Sequence, residues 1–242
     1  MGRRTLTIAA LLCLLPALGW AQIDYRGPST AAPYALNAPI FWDDFIGGKG
    51  NTTGDLGSLG WAVYGTGGSA QVAGRPGVAT LTAAATGFAG THLYNGFNIP
   101  LSTIGSVTFI ASWPTGANLP DCRFGLVSTN VAAEPADDAV YFEKLAADTN
   151  WFAVTRDGAT TNHTRTDTGV AWGAGEYPTL KITHPATGKW EFFINGALVA
   201  SRTTGNIPAE ATFSTVNLQI ETNGTALAVS ADWALIELKT SR

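Results

Sequence analysis

Short runs of alternating or β-branched residues recur between residues 40 and 238, and glycine, proline, asparagine or aspartate bounds each run. A period of two predicts half-buried β-strands. No stretch of about ten to twelve residues carries the apolar stripe of an amphipathic helix. The predicted strands are Ile40–Ile46, Trp61–Tyr64, Gly77–Thr82, Thr91–Phe97, Ser106–Trp113, Arg123–Ser128, Ala139–Lys144, Trp151–Arg156, Thr160–Asp167, Thr179–His184, Lys189–Ile194, Leu198–Thr203, Val216–Glu221 and Ala226–Leu238.

Two dipeptides between these runs predict tight hairpins. Asn195-Gly196 separates two apolar runs, and both central positions of such a turn require a positive φ. Asp157-Gly158 predicts a second hairpin of the same kind. With no linker between the strands, residues 40–242 are predicted to form one all-β domain, a jelly-roll sandwich of two antiparallel sheets.

The first 39 residues have a different character. Arg3 and Arg4 precede an apolar run that ends in small residues at Ala21, the pattern of a cleaved secretory signal over residues 1–21. Residues 22–39 are rich in Pro, Ala, Ser and Tyr and predict an extended arm or linker. We therefore expect a secreted, extracellular protein.

Charge and cysteine content exclude several classes of partner. The full chain carries a net charge of −4, and without Arg3 and Arg4 it would hold 12 basic against 18 acidic residues. A negative domain is a poor partner for nucleic acid. After residue 21 no apolar run is long enough to span a membrane. Cys122 would be the single cysteine left after cleavage, so no intrachain disulfide is expected.

A series of short motifs follows the chain from residue 41 to residue 238. They are Trp42-Asp43-Asp44-Phe45, Leu59-Gly60-Trp61, Arg75-Pro76-Gly77-Val78, Tyr141-Phe142, Trp151, Asp167, Gly169-Val170, Leu180, Ile182, Trp190, Phe192, Ile194-Asn195-Gly196, Asn206, Pro208 and Ala231-Asp232-Trp233. In this order they resemble virion-associated phage proteins with a concanavalin A-like, laminin G-like jelly roll. The resemblance implies the fold far more than the function, because such jelly rolls serve as lectins, glycosidases, lyases and structural domains.

Catalytic motifs of this fold are missing from the sequence. Its glucanases carry Glu-x-Asp-x-Glu on one strand, and none of the seven Glu residues here is followed two positions later by Asp. A retaining glycosidase needs two carboxylates about 5 Å apart. Glu143 and Glu221 are the best remaining carboxylates on predicted strands, and neither has an acidic residue two positions before or after it in the sequence. We expect no enzymatic activity and no catalytic residues.

The histidines do not form a lyase motif or a metal site in place of the missing carboxylate pair. Alginate-lyase relatives place Gln-x-His on a strand, whereas this chain has Gln219-Ile220-Glu221, which lacks the imidazole. His92, His163 and His184 lack the spacing of a metal site, and each is expected on the surface of a strand.

Candidate binding residues lie beside predicted loops. Trp113 and Trp172 border glycine-containing loops where an indole face can stack on a sugar ring, and Tyr94 is a further candidate. Asp137 and Asp138 form an acidic pair in a predicted loop. This pair is the candidate site for calcium, which is the only cofactor that the sequence suggests. The alternative for this pair is a solvated loop in which one Asp caps a turn. The tryptophans inside predicted strands are expected in the core; they are Trp42, Trp61, Trp151, Trp190 and Trp233.

These observations favour a non-catalytic structural or adhesion protein of virion type, which contacts glycan or neighbouring protein subunits. It would be part of the virion if phage-encoded, and a homo-oligomer is compatible with such a role. Two alternatives remain, an exported bacterial lectin-like protein and a polysaccharide hydrolase or lyase with an unrecognised site.

Overall fold

The structure, a computed structural model, describes residues 40–43, 61–65, 68–71, 78–83, 86–93, 99–112, 121–128, 138–158, 162–171, 173, 175–223 and 227–239. These residues contain sixteen strands and one 3₁₀ turn, Leu101–Thr103. The strands are β1 (Ile40–Asp43), β2 (Trp61–Gly65), β3 (Gly68–Gln71), β4 (Ala79–Ala83), β5 (Thr86–Leu93), β6 (Ile99–Pro100), β7 (Ile104–Ser112), β8 (Asp121–Val127), β9 (Ala139–Lys144), β10 (Asn150–Arg156), β11 (His163–Ala171), β12 (Thr179–Ala186), β13 (Lys189–Ile194), β14 (Ala197–Arg202), β15 (Phe213–Asn223) and β16 (Leu227–Leu238).

The strands form two antiparallel sheets of eight strands each. The first sheet has the order β14-β13-β12-β7-β16-β4-β3, and β1 pairs with β16. The second has the order β11-β10-β9-β8-β15-β5-β2, and β6 pairs with β15. Strand β16 is long enough to pair with β4 along its first half and with β1 along its second, while β7 lies on its other side. The predicted antiparallel sandwich is confirmed.

The core lies between the sheets because alternate residues of each strand turn inward. Trp61, Trp151 and Trp190 are completely or almost completely buried there, which confirms their predicted core role. Phe142 of the second sheet meets Phe192 of the first edge to face, with ring centroids 5.3 Å apart. Such aromatic contacts across the interface hold the two layers together. The side chains of Trp42 and Trp233 lie outside the described part of the structure.

Every predicted strand has an observed counterpart, and two short strands were missed. Strand β3 has the sequence Gly-Ser-Ala-Gln, which contains no β-branched or aromatic residue, and β6 is only two residues long. The Asn195-Gly196 turn is confirmed, with φ values of 51° and 80°.

The hairpin predicted at Asp157-Gly158 is observed, but its connection is longer than the predicted two-residue turn. Gly158 has a φ of 62°, but Asp157 does not share it. Strands β10 and β11 form a hairpin whose connection spans residues 157–162 and is closed by the Asp157 N–H, which donates to the Asn162 carbonyl at 3.2 Å.

The predicted signal segment 1–21 and arm 22–39 lie outside the described residues. Within the described part of the chain, no helix has the length and apolar character needed to cross a membrane.

Candidate functional site

Polar side chains line the outer face of the second sheet, the face turned away from the core. Strands β8, β9, β10 and β15 place residues in the core, so the alternate residues of these strands face outward; these core residues include Phe124, Phe142, Ala153 and Leu218. We call these outward groups the polar face: Arg123, Tyr141, Glu143, Arg156, Asn217, Gln219 and Glu221. The register puts Gln219 opposite Arg123, and Arg123 opposite Glu143, in one row across three strands.

Arg123 lies at the centre of the polar face and bridges two carboxylates. Its side chain is 5% exposed, and its Nε donates to Glu143 Oε1 at 3.0 Å. Its Nη1 donates to Glu221 Oε2 at 3.4 Å. Burial acts to lower the pKa of Arg123, but the charge of Glu143, with smaller contributions from Tyr141 and Glu221, raises that pKa above its usual value. The guanidinium is therefore a permanent cation held between two acceptors.

A second arginine reaches the same carboxylate from the neighbouring edge of the sheet. Arg165, on β11, donates from Nε to Glu143 Oε2 at 2.5 Å and from Nη2 to Asp148 Oδ2. Its guanidinium lies 3.6 Å from the ring centroid of Phe152, a cation–π arrangement. Each oxygen of Glu143 thus accepts a bond from a different arginine, and the carboxylate is fixed in position.

The turn after β9 supplies Asp148 in a fixed orientation. Asp148 Oδ2 accepts the Leu145 N–H at 2.8 Å, and Asp121 Oδ1 accepts the Ala146 N–H at 2.6 Å. From the other side, the Lys144 ammonium donates to the carbonyl oxygen of Asp148 at 2.6 Å. These bonds tie the turn to β8 and keep the Asp148 carboxylate beside Arg165.

The two carboxylates singled out from the sequence come together on the polar face. Glu143 and Glu221 both bind Arg123, whose guanidinium lies between them. A retaining pair needs open space for a sugar between its carboxyl groups. In this arrangement the Arg123 guanidinium occupies the space between the two carboxylates.

Asp138 joins two other segments of the chain through hydrogen bonds. Its Oδ1 accepts the Gly158 N–H at 3.1 Å and its Oδ2 accepts the Thr212 hydroxyl at 2.8 Å. Among the described residues, no group of three or more His, Cys, Asp or Glu side chains is arranged to hold a metal ion. The observed contacts of Asp138 are hydrogen bonds to other parts of the chain, and the calcium candidacy of the Asp137–Asp138 pair stays a prediction.

The other sequence-predicted site residues lie outside the described residues. They are Trp113, Trp172, Tyr94 and Asp137. Their candidacy as glycan or calcium contacts stays a prediction.

A second polar cluster lies at one end of the sandwich and corrects the prediction for His184. This histidine is buried, not on a strand surface, and its ring stacks on Trp190 with centroids 4.1 Å apart. Its Nε2 lies 2.9 Å from Glu210 Oε1 and its Nδ1 lies 2.8 Å from Lys239 Nζ. Burial lowers the pKa of His184, the Lys239 charge lowers it further, and Glu210 opposes the shift. Nδ1 also lies 3.0 Å from the Leu101 carbonyl oxygen, so this ring nitrogen faces one donor, Lys239, and one acceptor, while Nε2 faces the Glu210 carboxylate.

Cys122 is completely buried in the core, as expected for a small apolar residue. Burial raises the pKa of its thiol, because the thiolate loses its hydration.

Comparison with solved structures identifies the fold. A glycoside hydrolase family 16 endo-glucanase from Bacteroides ovatus matches 81% of this chain and 99% of its own, with a TM-score of 0.57 and 12% identity. A protein of unknown function from Shewanella oneidensis MR-1 matches 86% of this chain and 91% of its own, with a TM-score of 0.59 and 16% identity. The carbohydrate recognition domain of Emp47p matches 81% of this chain and 96% of its own, with a TM-score of 0.51 and 9% identity.

At these identities the likeness establishes the concanavalin A-like jelly roll and nothing about the site. No protein-family model matches the sequence, and no curated protein matches it either. The link to phage structural proteins stays a prediction.

Sequence reasoning missed Arg123, Arg165 and Asp148. The usable signal for Arg123 is a single cation inside the otherwise apolar run Cys122–Val127, since a charge in a buried strand requires a partner. Its partners lie 20 and 98 residues further along the chain, so only the strand register reveals them.

Proposed function

We propose that this chain is an exported, non-catalytic glycan-binding protein, and that the polar face of the second sheet carries its binding site. The observation that carries the proposal is the bridge from Arg123 to Glu143 and Glu221. It supports a role in recognition because it fixes donors and acceptors side by side while neutralising the carboxylates. Sugar hydroxyls both donate and accept, so such a mixed, oriented surface suits them.

A ligand can reach the polar face at its rim, which we define as Glu221 of the polar face and the neighbouring Arg165. The side chains of Arg165 and Glu221 are 23% and 33% exposed, whereas those of Arg123 and Glu143 are almost fully buried. The rim groups would contact the sugar, and the buried groups would hold them in place. The similarity of the fold to a carbohydrate recognition domain and to a glucanase is compatible with this assignment.

Binding is tested with the full chain on a glycan array. Glu221→Gln removes the charge of a rim acceptor and should weaken retention of any bound glycan by about tenfold, the value of one charged hydrogen bond. The matched control is Glu237→Gln. Glu237 has 37% side-chain exposure and pairs with Lys181 at 3.3 Å, but it lies in the first sheet. Equal losses from both variants, or no loss from Glu221→Gln, would contradict the assignment to the polar face.

The absence of catalysis is tested separately. The protein is incubated with a panel of polysaccharides, and reducing ends and unsaturated products are assayed. We expect no turnover. Turnover that Glu143→Gln or Glu221→Gln abolishes would establish the hydrolase or lyase alternative.

The virion-type adhesion role is a narrower form of the same proposal, and it rests on the order of motifs between Trp42 and Trp233. Neighbouring tail or capsid genes would support it, and neighbouring polysaccharide-utilisation genes would favour an exported bacterial lectin. Candidate contacts at Trp113 and Trp172 are tested with Trp→Ala variants. These should lose glycan retention while keeping thermal stability, and a large loss of stability would place the indole in the core.

A further inference from the structure

Strand β11 ends the second sheet, and no described strand pairs with its outer side. Between residues 163 and 167 its register with β10 is regular, from Arg156 opposite His163 to Phe152 opposite Asp167. The irregularity lies beyond residue 167. Proteins commonly protect such an edge with proline or with charged residues, especially lysine; this five-residue segment contains no proline or lysine, and its two charged residues, Arg165 and Asp167, are of opposite sign. The segment is therefore suited to pairing with another strand.

The hydrogen-bond pattern shows which backbone groups face the open side. The Asp157 N–H donates to the Asn162 carbonyl across the β10–β11 hairpin. Backbone groups alternate in direction along an antiparallel strand. Asn162, Thr164 and Thr166 therefore bond to β10, and the N–H and C=O groups of Arg165 and Asp167 point away from it.

The sequence of this edge is complementary to itself. Residues 164–168 read Thr-Arg-Thr-Asp-Thr, a pattern symmetric about Thr166 apart from the reversal of charge. When two copies run antiparallel with Thr166 opposite Thr166, Arg165 of each lies opposite Asp167 of the other. A two-fold axis at Arg165 would instead place Arg opposite Arg, and an axis at Asp167 would place Asp opposite Asp. Opposite charges across a strand pair stabilise it, and like charges destabilise it.

Both charged groups can take part without leaving their own partners. Arg165 uses Nε for Glu143 and Nη2 for Asp148, and its remaining nitrogen, Nη1, can donate to an acceptor beyond the edge. Asp167 is solvent-exposed and accepts bonds from the Asn150 amide and the Gly169 N–H. It forms no ion pair within the described part of the chain.

We infer that two copies of this chain pair through β11, antiparallel and centred on Thr166, so that their second sheets join into one continuous sheet. Arg165 and Asp167 of each copy exchange two backbone hydrogen bonds with the facing residue, and the two-fold axis repeats the pair. The inference stands on the edge itself and does not require that the polar face binds glycan.

Sedimentation velocity over a concentration series tests the pairing. The full chain should dimerise, and Asp167→Arg should raise the dimer dissociation constant about 100-fold or more, because it sets Arg against Arg at two symmetric places. Asp167→Pro removes the outward-facing N–H together with the carboxylate that accepts from Asn150 and Gly169, and it should also disrupt the dimer. The control Asp157→Arg makes the same charge change at an exposed residue of the adjoining loop and should leave the dimer intact.

Two variants that cannot self-associate should complement each other. Arg165→Asp alone sets Asp against Asp, and Asp167→Arg alone sets Arg against Arg, but a mixture of the two restores opposite charges at both places. Mixing should therefore restore dimers. If Arg165→Asp does not fold, Asp167→Arg and Asp167→Pro still decide the question.

The register is tested by oxidative cross-linking in a Cys13→Ser background, where buried Cys122 does not compete. Thr166→Cys should form an intermolecular disulfide, since Thr166 faces its own copy. The control Thr164→Cys should not, because Thr164 faces Thr168 of the second copy. A chain that stays monomeric at every concentration, or a dimer that survives both Asp167 variants, would overturn the inference.

Discussion

Replacing Glu143 with leucine should destabilise the protein more than any exposed ion-pair variant. The substitution keeps the side-chain volume but removes one carboxylate partner of the buried Arg123; among the described residues, the half-buried Glu221 still lies 3.4 Å from its guanidinium. Breaking a buried pair in this way costs about 3–5 kcal/mol. Arg165 adds little, because it is partly exposed and keeps Asp148. We therefore expect the lower end of the range, about 3 kcal/mol.

Urea unfolding at neutral pH, followed by tryptophan fluorescence and circular dichroism, measures this loss. With a slope of about 2–3 kcal/mol/M the midpoint should fall by roughly 1–1.5 M. Coincident transitions by the two methods would justify two-state treatment. The control Glu237→Leu breaks the exposed pair with Lys181 and should cost less than about 1 kcal/mol.

The double variant Arg123→Met/Glu143→Leu distinguishes the loss of a charge partner for buried Arg123 from the loss of packing. It removes both members of the pair, so it should be more stable than Glu143→Leu alone, by about 2 kcal/mol. A loss below about 1 kcal/mol for Glu143→Leu would refute the reasoning. A double variant whose loss equals the sum of the single losses would refute it too.

Three further predictions concern single residues. Gly125→Ala should destabilise the second sheet by about 1–3 kcal/mol or more, measured by the same unfolding assay, because its Cβ would collide with the backbone of Val140 and Tyr141. Burial lowers the pKa of His184 in the folded protein below its value of about 6.5 in the unfolded chain. The free energy of unfolding should therefore be highest above pH 6.5 and fall as the pH drops below that value. A flat pH profile, or one unchanged by His184→Gln, would contradict this. Burial, assisted by the charge of Glu143, raises the pKa of Tyr141 to about 12, so ultraviolet titration of the folded protein should miss one tyrosine near pH 11 that Tyr141→Phe removes from the total.

Local pattern was sufficient to predict most of the fold. Lys189–Ile194 alternates buried and half-buried residues along its whole length, and its predicted bounds agree with the structure. Strand β3 was missed because Gly and Ser dominate it and give no periodic apolar signal. His184 shows a different failure, since it continues the inward series of Leu180 and Ile182, and polarity was given more weight than this alternation.

The candidate site depends on strand register, which the sequence does not display. Glu143 and Glu221 could be recognised as carboxylates on strands, but their common contact with Arg123 follows from the order β9-β8-β15 in the sheet. Arg165 adds a fourth strand, β11, which is separated from β9 by β10 and reaches over it. Long side chains that cross a neighbouring strand cannot be predicted from spacing along the chain.

The positions of β15 and β16 have a consequence for the way this protein is made. Each lies in the interior of its sheet, β15 between β8 and β5, and β16 between β7 and the strands β4 and β1. A ribosome synthesises them after all the strands that they join. Neither sheet can become continuous until residues 213–238 have left the ribosome, so the nascent chain carries unpaired strand edges throughout most of its synthesis. Folding is therefore completed after translation of these strands, and shortening the chain before residue 213 would divide both sheets at once.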